Sequence, residues 1–250
     1  MGSCLVAFSG GVDSTFLLKA CKDALGDNLL AVTATSATYP QEELKFAKKI
    51  ADKLGAKHKI IETGELKDNR FVKNPVNRCY FCKKELFIRL NKIAKENKLD
   101  FVIDATNYSD KFDFRPGNKA KEELGIRSPL KEARLTKEDI RALSKKMGLS
   151  TWDKPSLACL ASRIPYGVKI TSDILSRINR AETYLRKIGL KQVRLRHYNG
   201  LCRIEVLKSD INKAINKRDK IIDRLKKLGY NYVTVDLEGY RTGSMNEVIK

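Results

Sequence analysis

A chain of 250 residues, 42% hydrophobic and 32% charged with 15 glycines and 6 prolines, falls outside disordered and fibrous classes and predicts one large domain plus one small one. It contains no run of about 18 apolar residues and no charged-then-apolar leader pattern, so a cytoplasmic protein without a membrane span is expected. A formal net charge of +20, spread over both halves, attracts polyanions such as RNA or phosphorylated small molecules, and equally suits lysine-coated helix faces, so charge alone does not choose the substrate.

Cys4 to Phe8 is a short apolar run that ends in glycines, and Asp13 to Leu25 then carries helical spacing through Phe16, Leu17, Ala20 and Ala24. Leu29 to Thr33 reads as a second strand. Glu42 to Leu54 reads as an amphipathic helix closed by Gly55. Lys57 to Glu62 predicts a third strand, Lys83 to Asn97 a helix, and Phe101 to Ala105 a fourth strand. This alternation implies parallel crossover units, an α/β doubly wound sheet covered on both faces, with ligands at the carboxyl ends of the strands. The loops after Phe8, Thr33 and Ala105 should converge there.

Thr136 to Met147 is a further predicted helix, capped by Thr136 and ended by Gly148. Ser150 to Gly167 is too irregular for a helix and too apolar for a linker, and it surrounds Cys159. Beyond it the pattern predicts a compact α/β unit: a helix over Asp173 to Ile188, strands over Lys191 to His197 and Leu201 to Leu207 joined at Asn199 and Gly200, a helix from Ile211 to Leu228, and a strand from Tyr232 to Leu237. The expected division is residues 1–165 for the large domain and 166–250 for the small one.

Two features carry chemistry. The first is SGGVDS, Ser9 to Ser14, between a buried strand and a helix. Adjacent glycines let the backbone approach an anion, and serine hydroxyls with a helix N-terminus aim donors at phosphate. The lysine of the GxxxxGK[ST] loop is missing, so this resembles the PP-loop instead, which holds the pyrophosphate end of ATP and so favours attack on the α-phosphate.

The second is the cysteines. Cys79 and Cys82 form a CxxC at the start of a helix, on one face, where the dipole favours thiolate. With Cys159 they make three thiols, one short of a closed zinc site or a four-cysteine cluster, and an open position can take an exogenous sulfide or a substrate. Cys202 is a candidate fourth ligand, whereas Cys4 and Cys21 read as core residues.

Taken in order, SGGVDS, ATNYSD, FRPGNKAKEELGIRSPL, WDKPSLACLASRIPYG, VRLRHYNGLCRIEV and LEGYRTGSMNE resemble the LarE sulfur transferases over nearly the whole chain. The resemblance implies ATP-dependent adenylation of a carboxylate of pyridinium-3,5-biscarboxylic acid mononucleotide, followed by replacement of oxygen by sulfur. It implies ATP with Mg2+ at Ser9, Gly10, Gly11, Asp13 and Ser14, with Thr33, Thr106 and Asn107 nearby. Ala105 departs from the family's usual glycine. Arg163, Arg194, Arg196, Glu205 and Arg241 match a substrate-phosphate site, with Ser162 beside it. Because Cys79 and Cys82 accompany Cys159, the chain is similar to the branch in which three cysteines hold a [4Fe-4S] cluster and the protein survives turnover. Expected partners are a small nucleotide substrate, a sulfide source and further copies of the chain.

The rival reading is a [4Fe-4S]-dependent tRNA thiolase of the same superfamily, which the net charge favours. Against it stand the lack of a recognisable RNA-binding module and the LarE-like C-terminal pattern. A nucleotide-switched cluster carrier and an ammonia-dependent amide synthetase complete the alternatives.

Overall fold

The computed structural model describes residues 2–112, 116–155 and 158–249, without the side chains of residues 111 and 112. Two parts of the LarE-like motifs, Phe114 with Arg115 and Ser156 with Leu157, therefore lie outside the described residues. The chain divides into two compact units, Met1–Phe71 with Pro75–Leu157 and Val72–Asn74 with Ala158–Lys250.

In the first unit, strands β1 (Cys4–Ala7), β2 (Leu29–Thr35), β3 (His58–Glu62) and β4 (Phe101–Ile103) form a parallel sheet in the order β3-β2-β1-β4. Its helices are α1 (Val12–Leu25), α2 (Gln41–Lys53), the short α3 (Asn69–Val72) at its border, α4 (Arg78–Glu96), α5 (Gly117–Glu123), α6 (Pro129–Glu132) and α7 (Lys137–Lys146). Side chains alternate across a strand, so Cys4 and Val6 of β1 pack with Phe16, Leu17, Ala47, Ile50 and Ile140. Leu5 joins Phe87, Leu90 and Ile93 of α4 on the opposite face. Both faces are covered, which is why these strands read as unbroken apolar runs. The strand order reverses at β1, and the loops after β1 and β4 flank the crevice where doubly wound sheets bind ligands.

The second unit contains α8 (Ser172–Lys187), β5 (Val193–Tyr198), β6 (Leu201–Val206), α9 (Ile211–Asn216), α10 (Arg218–Lys227) and β7 (Tyr232–Val235). β5 and β6 form an antiparallel hairpin through Asn199, at φ 52°, and Gly200, and β7 runs parallel to β6. Leu175, Ile178, Ala181 and Leu185 put the apolar stripe of α8 into the core. The buried Asn74 amide donates to the carbonyls of Pro165 and Val168 at 2.7 and 3.0 Å and ties its short segment into this unit.

Several elements differ from the sequence reading. The helix expected over Ile211 to Leu228 is two helices, because Lys217 leaves helical geometry and sends Nζ 2.7 Å to the Ile188 carbonyl just beyond α8. α4 starts at Arg78, so Cys79 and Cys82 lie inside the helix. The short helices α3, α5 and α6 carry too few turns to show a period. Thr136 caps α7 as expected, its hydroxyl accepting from Asp139 N while the Asp139 carboxylate accepts from Thr136 N. Among the described residues no helix is long and apolar enough to cross a membrane.

The second unit's core is charged. Glu182, on the buried face of α8, accepts from Arg163 Nε at 2.8 Å, Arg163 Nη2 at 3.0 Å and Leu195 N at 3.0 Å. Burial alone would raise the Glu182 pKa, but Arg163 beside it holds the carboxyl below its ordinary value. Removing one partner leaves an uncompensated buried charge, so Glu182→Ala should lower stability by about 3–5 kcal/mol in urea denaturation. The double replacement of Arg163 and Glu182 by apolar residues should recover part of that loss.

Candidate active site

The loop after β1 is built around one hydroxyl. Ser14 Oγ accepts from Gly11 N at 3.1 Å and Ser9 N at 3.3 Å and lies 3.0 Å from Ser9 Oγ. Gly11 is the N-cap of α1, so the loop opens onto a helix N-terminus whose first amides lack intrahelical acceptors. Gly10 lies at φ +67°, and a Cβ there would stand 2.9 Å from Ala47 Cα in α2. Glycine is required twice over, by the left-handed backbone and by the contact.

Four side chains that the sequence reading did not single out support this loop. Tyr39 donates its hydroxyl to Ser9 O at 2.8 Å. Lys154 donates to Gly10 O at 3.1 Å and Glu43 Oε2 at 2.7 Å, with Nζ 3.6 Å from the Phe46 ring centroid. Burial pulls the Lys154 pKa below its ordinary value. Arg141 holds the backbone leading to it, donating to Trp152 O at 2.7 Å and Lys154 O at 3.0 Å. Lys137, at the start of α7, lies 2.6 and 2.8 Å from the two carboxylate oxygens of Asp13. Lysines from distant segments leave no local signature, so a single sequence does not reveal them.

The other expected nucleotide residues line the carboxyl end of the sheet. Thr33 is buried, and its hydroxyl donates to Phe8 O at 2.8 Å while lying 2.8 Å from His58 Nε2. With its one proton on Phe8, Thr33 accepts from His58, which must carry hydrogen on Nε2. Burial pulls the His58 pKa down. Thr106 donates to Asp104 Oδ2 at 2.8 Å and accepts from Lys121 at 2.7 Å, and the buried Asn107 exchanges bonds with Asp110. The Thr33 and Thr106 hydroxyls are thus turned into the protein, and the Thr106 amide also donates to Asp104 Oδ1 at 3.3 Å. Beside the β2 and β3 ends, a cavity of about 660 Å³ is lined by residues that include Thr35, Ser36, Gln41, Leu44 and Thr63.

Accessibility sorts the cysteines. Cys79 is exposed and Cys82 half-buried, three apart near the α4 N-terminus, and Cys159 of the second unit is exposed. Cys4 and Cys202 are buried, and Cys21 is half-buried and hydrogen-bonded to Cys4. Burial pushes the Cys202 thiol up to about 12, and its Sγ donates to Tyr232 O at 3.6 Å, which argues against it as a fourth ligand. Among the described residues no three of His, Cys, Asp and Glu are gathered into a metal site.

Around Cys159 the second unit is rigidly tied. The Cys159 carbonyl accepts from Ser162 N at 3.0 Å, Ser162 Oγ at 2.8 Å and Arg163 Nη1 at 3.2 Å. Arg196 donates to Ser162 O at 3.1 Å and grips Glu205 through Nε at 2.9 Å and Nη2 at 2.6 Å, with Ser244 bonded to both. Arg163, Arg194, Arg196 and Glu205 are all buried. Arg194 stands over the Tyr240 ring, and burial, with Arg163 close by, lowers its pKa to about 10. Of the five residues expected at a substrate phosphate, Arg241 is the half-buried one, paired with Glu238 and Glu247 at 2.9 and 3.1 Å. Glu182 and Ser244 were missed. Glu182 was readable in principle as a carboxylate beside the apolar stripe of α8.

A glycine-rich loop at the switch point of a parallel sheet, ending on a helix N-terminus and lacking its own lysine, defines an ATP-using PP-loop protein. A family described as queuosine biosynthesis protein QueC matches residues 3–75. The chain is 42% identical to an uncharacterized protein of Synechocystis sp. over 98% of its length and 92% of that protein's. It is 40% identical to the pyridinium-3,5-bisthiocarboxylic acid mononucleotide synthase of Lactiplantibacillus plantarum, over 98% of this chain and 89% of that one. An uncharacterized protein of Methanocaldococcus jannaschii matches at 34% over 95% and 90%. The chain belongs to the LarE family of ATP-dependent sulfur transferases.

Gly10→Ala should weaken ATP binding by at least about tenfold in calorimetry, because the Ala47 backbone cannot yield. Gly148→Ala, at the same φ of +67° but with nothing within 4 Å, should cost stability alone and leave ATP affinity unchanged.

Proposed function

We propose that this protein adenylates a carboxylate of pyridinium-3,5-biscarboxylic acid mononucleotide and replaces oxygen by sulfur, as a cytoplasmic homo-oligomer. The observation that carries the reading is the 40% identity to the named synthase over 98% of the chain. In the first step the substrate carboxylate attacks the α-phosphorus of ATP, and pyrophosphate leaves with the bonding electrons. The serine hydroxyls and α1 N-terminus of the PP-loop stabilise that leaving group. Asp13, whose carboxylate Lys137 holds in this structure, would be the residue to bind Mg2+, which would supply further charge to the phosphates. A sulfur nucleophile from a sulfide source then attacks the acyl carbon, and AMP departs to leave a thiocarboxylate.

Cys79, Cys82 and Cys159 are the proposed ligands of a [4Fe-4S] cluster, and their exposed or half-buried thiols fit that role where Cys4 and Cys202 do not. Such a cluster, bound by three thiolates, supplies an iron free to carry sulfide. Arg163, Arg194, Arg196, Glu205 and Arg241 serve the substrate's phosphate in this reading. In it Arg241 meets the phosphate directly, and Arg163 and Arg196 hold the backbone of the Cys159 turn.

The net charge of +20 favours a tRNA substrate as the competing reading. Anaerobic purification should give about four iron and at least as much sulfide per chain, with both lost in Cys159→Ala. Zinc alone, or no metal after reconstitution, would remove the cluster from the account. Tight binding of bulk tRNA with a steep salt dependence would favour the tRNA reading instead.

A further inference from the structure

Glu65 is a buried carboxyl group that the reaction does not use. It opens the short 3-10 turn Glu65–Lys67 after β3 and is 3% exposed. Among the described residues no lysine or arginine pairs with it, and its Oε2 has no hydrogen-bond partner. An unpaired buried carboxyl oxygen costs stability, and what Glu65 holds with its other oxygen accounts for its place. Ser36 Oγ and Thr38 Oγ1, from the loop after β2, both donate to Glu65 Oε1, at 2.5 and 2.6 Å.

Those two bonds fix a turn. Thr38 N donates to Ser36 Oγ and Tyr39 N to the Ser36 carbonyl, each at 3.1 Å, so residues 36–39 close on themselves. Tyr39 ends the turn, and its hydroxyl donates to the Ser9 carbonyl of the PP-loop at 2.8 Å. The segment that carries Glu65 is anchored in turn to α4. Gly64 N donates to Glu85 Oε1 and Arg89 Nη1 to the Glu62 carbonyl, each at 2.9 Å. Polar contacts thus run from α4 through Glu65 and the 36–39 turn to the first residue of the loop.

We propose that Glu65 is a positioning residue for phosphate binding: it holds the 36–39 turn so that Tyr39 keeps the Ser9 carbonyl away from the anion. A carbonyl released into that loop would oppose the phosphates with the negative end of its dipole, while a held one leaves the loop's donors to face them. The inference rests on ATP use at the PP-loop and adds to it a residue that neither the loop motif nor the family match assigns.

The test is calorimetric titration of the whole protein with ATP and with pyrophosphate in magnesium buffer. The proteins are wild type, Glu65→Met, Glu65→Gln, Tyr39→Phe and the double variant Glu65→Met with Tyr39→Phe. Loss of one neutral hydrogen bond at the loop should weaken both ligands by about three- to tenfold in Glu65→Met and in Tyr39→Phe. The double variant should fall no more than about twofold below the weaker single one, because Glu65 acts through Tyr39. Glu65→Gln retains the accepting oxygen and should keep most of the affinity. The melting temperature of Glu65→Met should not fall: an unpaired carboxyl leaves the interior, and Ser36 Oγ and Thr38 Oγ1, 2.9 Å apart, can turn to each other. Unchanged affinity in Glu65→Met, single losses that multiply in the double variant, or a loss in Glu65→Gln as large as in Glu65→Met would each overturn the proposal. So would a lowered melting temperature in Glu65→Met, which would make Glu65 a general support of the fold. If wild type binds neither ATP nor pyrophosphate, the PP-loop reading fails with it; if wild type binds both and only the variant comparison fails, Glu65 alone is withdrawn.

Discussion

The approach of Gly10 to the backbone of α2 is the constraint on which the ligand end of the first unit depends. Where a side chain would begin, the Ala47 Cα already stands at 2.9 Å, and the loop is bent at φ +67° to fit. That bend is braced on two sides, by Tyr39 on the Ser9 carbonyl and Lys154 on the Gly10 carbonyl. The loop closes around the Ser14 hydroxyl and leaves the α1 N-terminus open to an anion. Preorganised donors of this kind need no rearrangement as negative charge develops on a leaving pyrophosphate, which is how a fixed backbone contributes to rate.

The second unit solves a different problem, that of holding an exposed cysteine in one place. Its means are buried charges: Glu182 with Arg163, and Glu205 with Arg196 and Ser244. Such pairs contribute little net stability against apolar replacements, but each fixes direction through bidentate geometry. Here both forks also reach the backbone of one short turn, at the Cys159 and Ser162 carbonyls. Arg163 and Arg196, which the motif resemblance assigns to a phosphate, thus set where the Cys159 backbone lies.

Much of the fold was legible because the relevant signals are local. Strand runs, helix periods, the Thr136 cap and the SGGVDS loop each sit within a few residues, and their alternation implies a parallel sheet covered on both faces. The break at Lys217 was not legible, since the apolar pattern continues across it and the Lys217 Nζ bond to the Ile188 carbonyl is a tertiary contact. For the candidate site the motifs name residues but not their surroundings. Accessibility then separated Cys79, Cys82 and Cys159 from the buried Cys4 and Cys202, a distinction that spacing alone does not make. Lys137, Lys154 and Tyr39 act across long stretches of chain and left no mark in the motifs that named their partners.

The central claim is that ATP is split at the PP-loop to activate a carboxylate for sulfur transfer. The most direct measurement follows AMP and pyrophosphate release with purified protein, a sulfide source and pyridinium-3,5-biscarboxylic acid mononucleotide, while mass spectrometry follows the substrate. The account predicts AMP and pyrophosphate in equal amounts only when the mononucleotide is present, and a product heavier by the difference between sulfur and oxygen. Release of ADP and phosphate, or AMP formation with no sulfur gained by the mononucleotide, would contradict it.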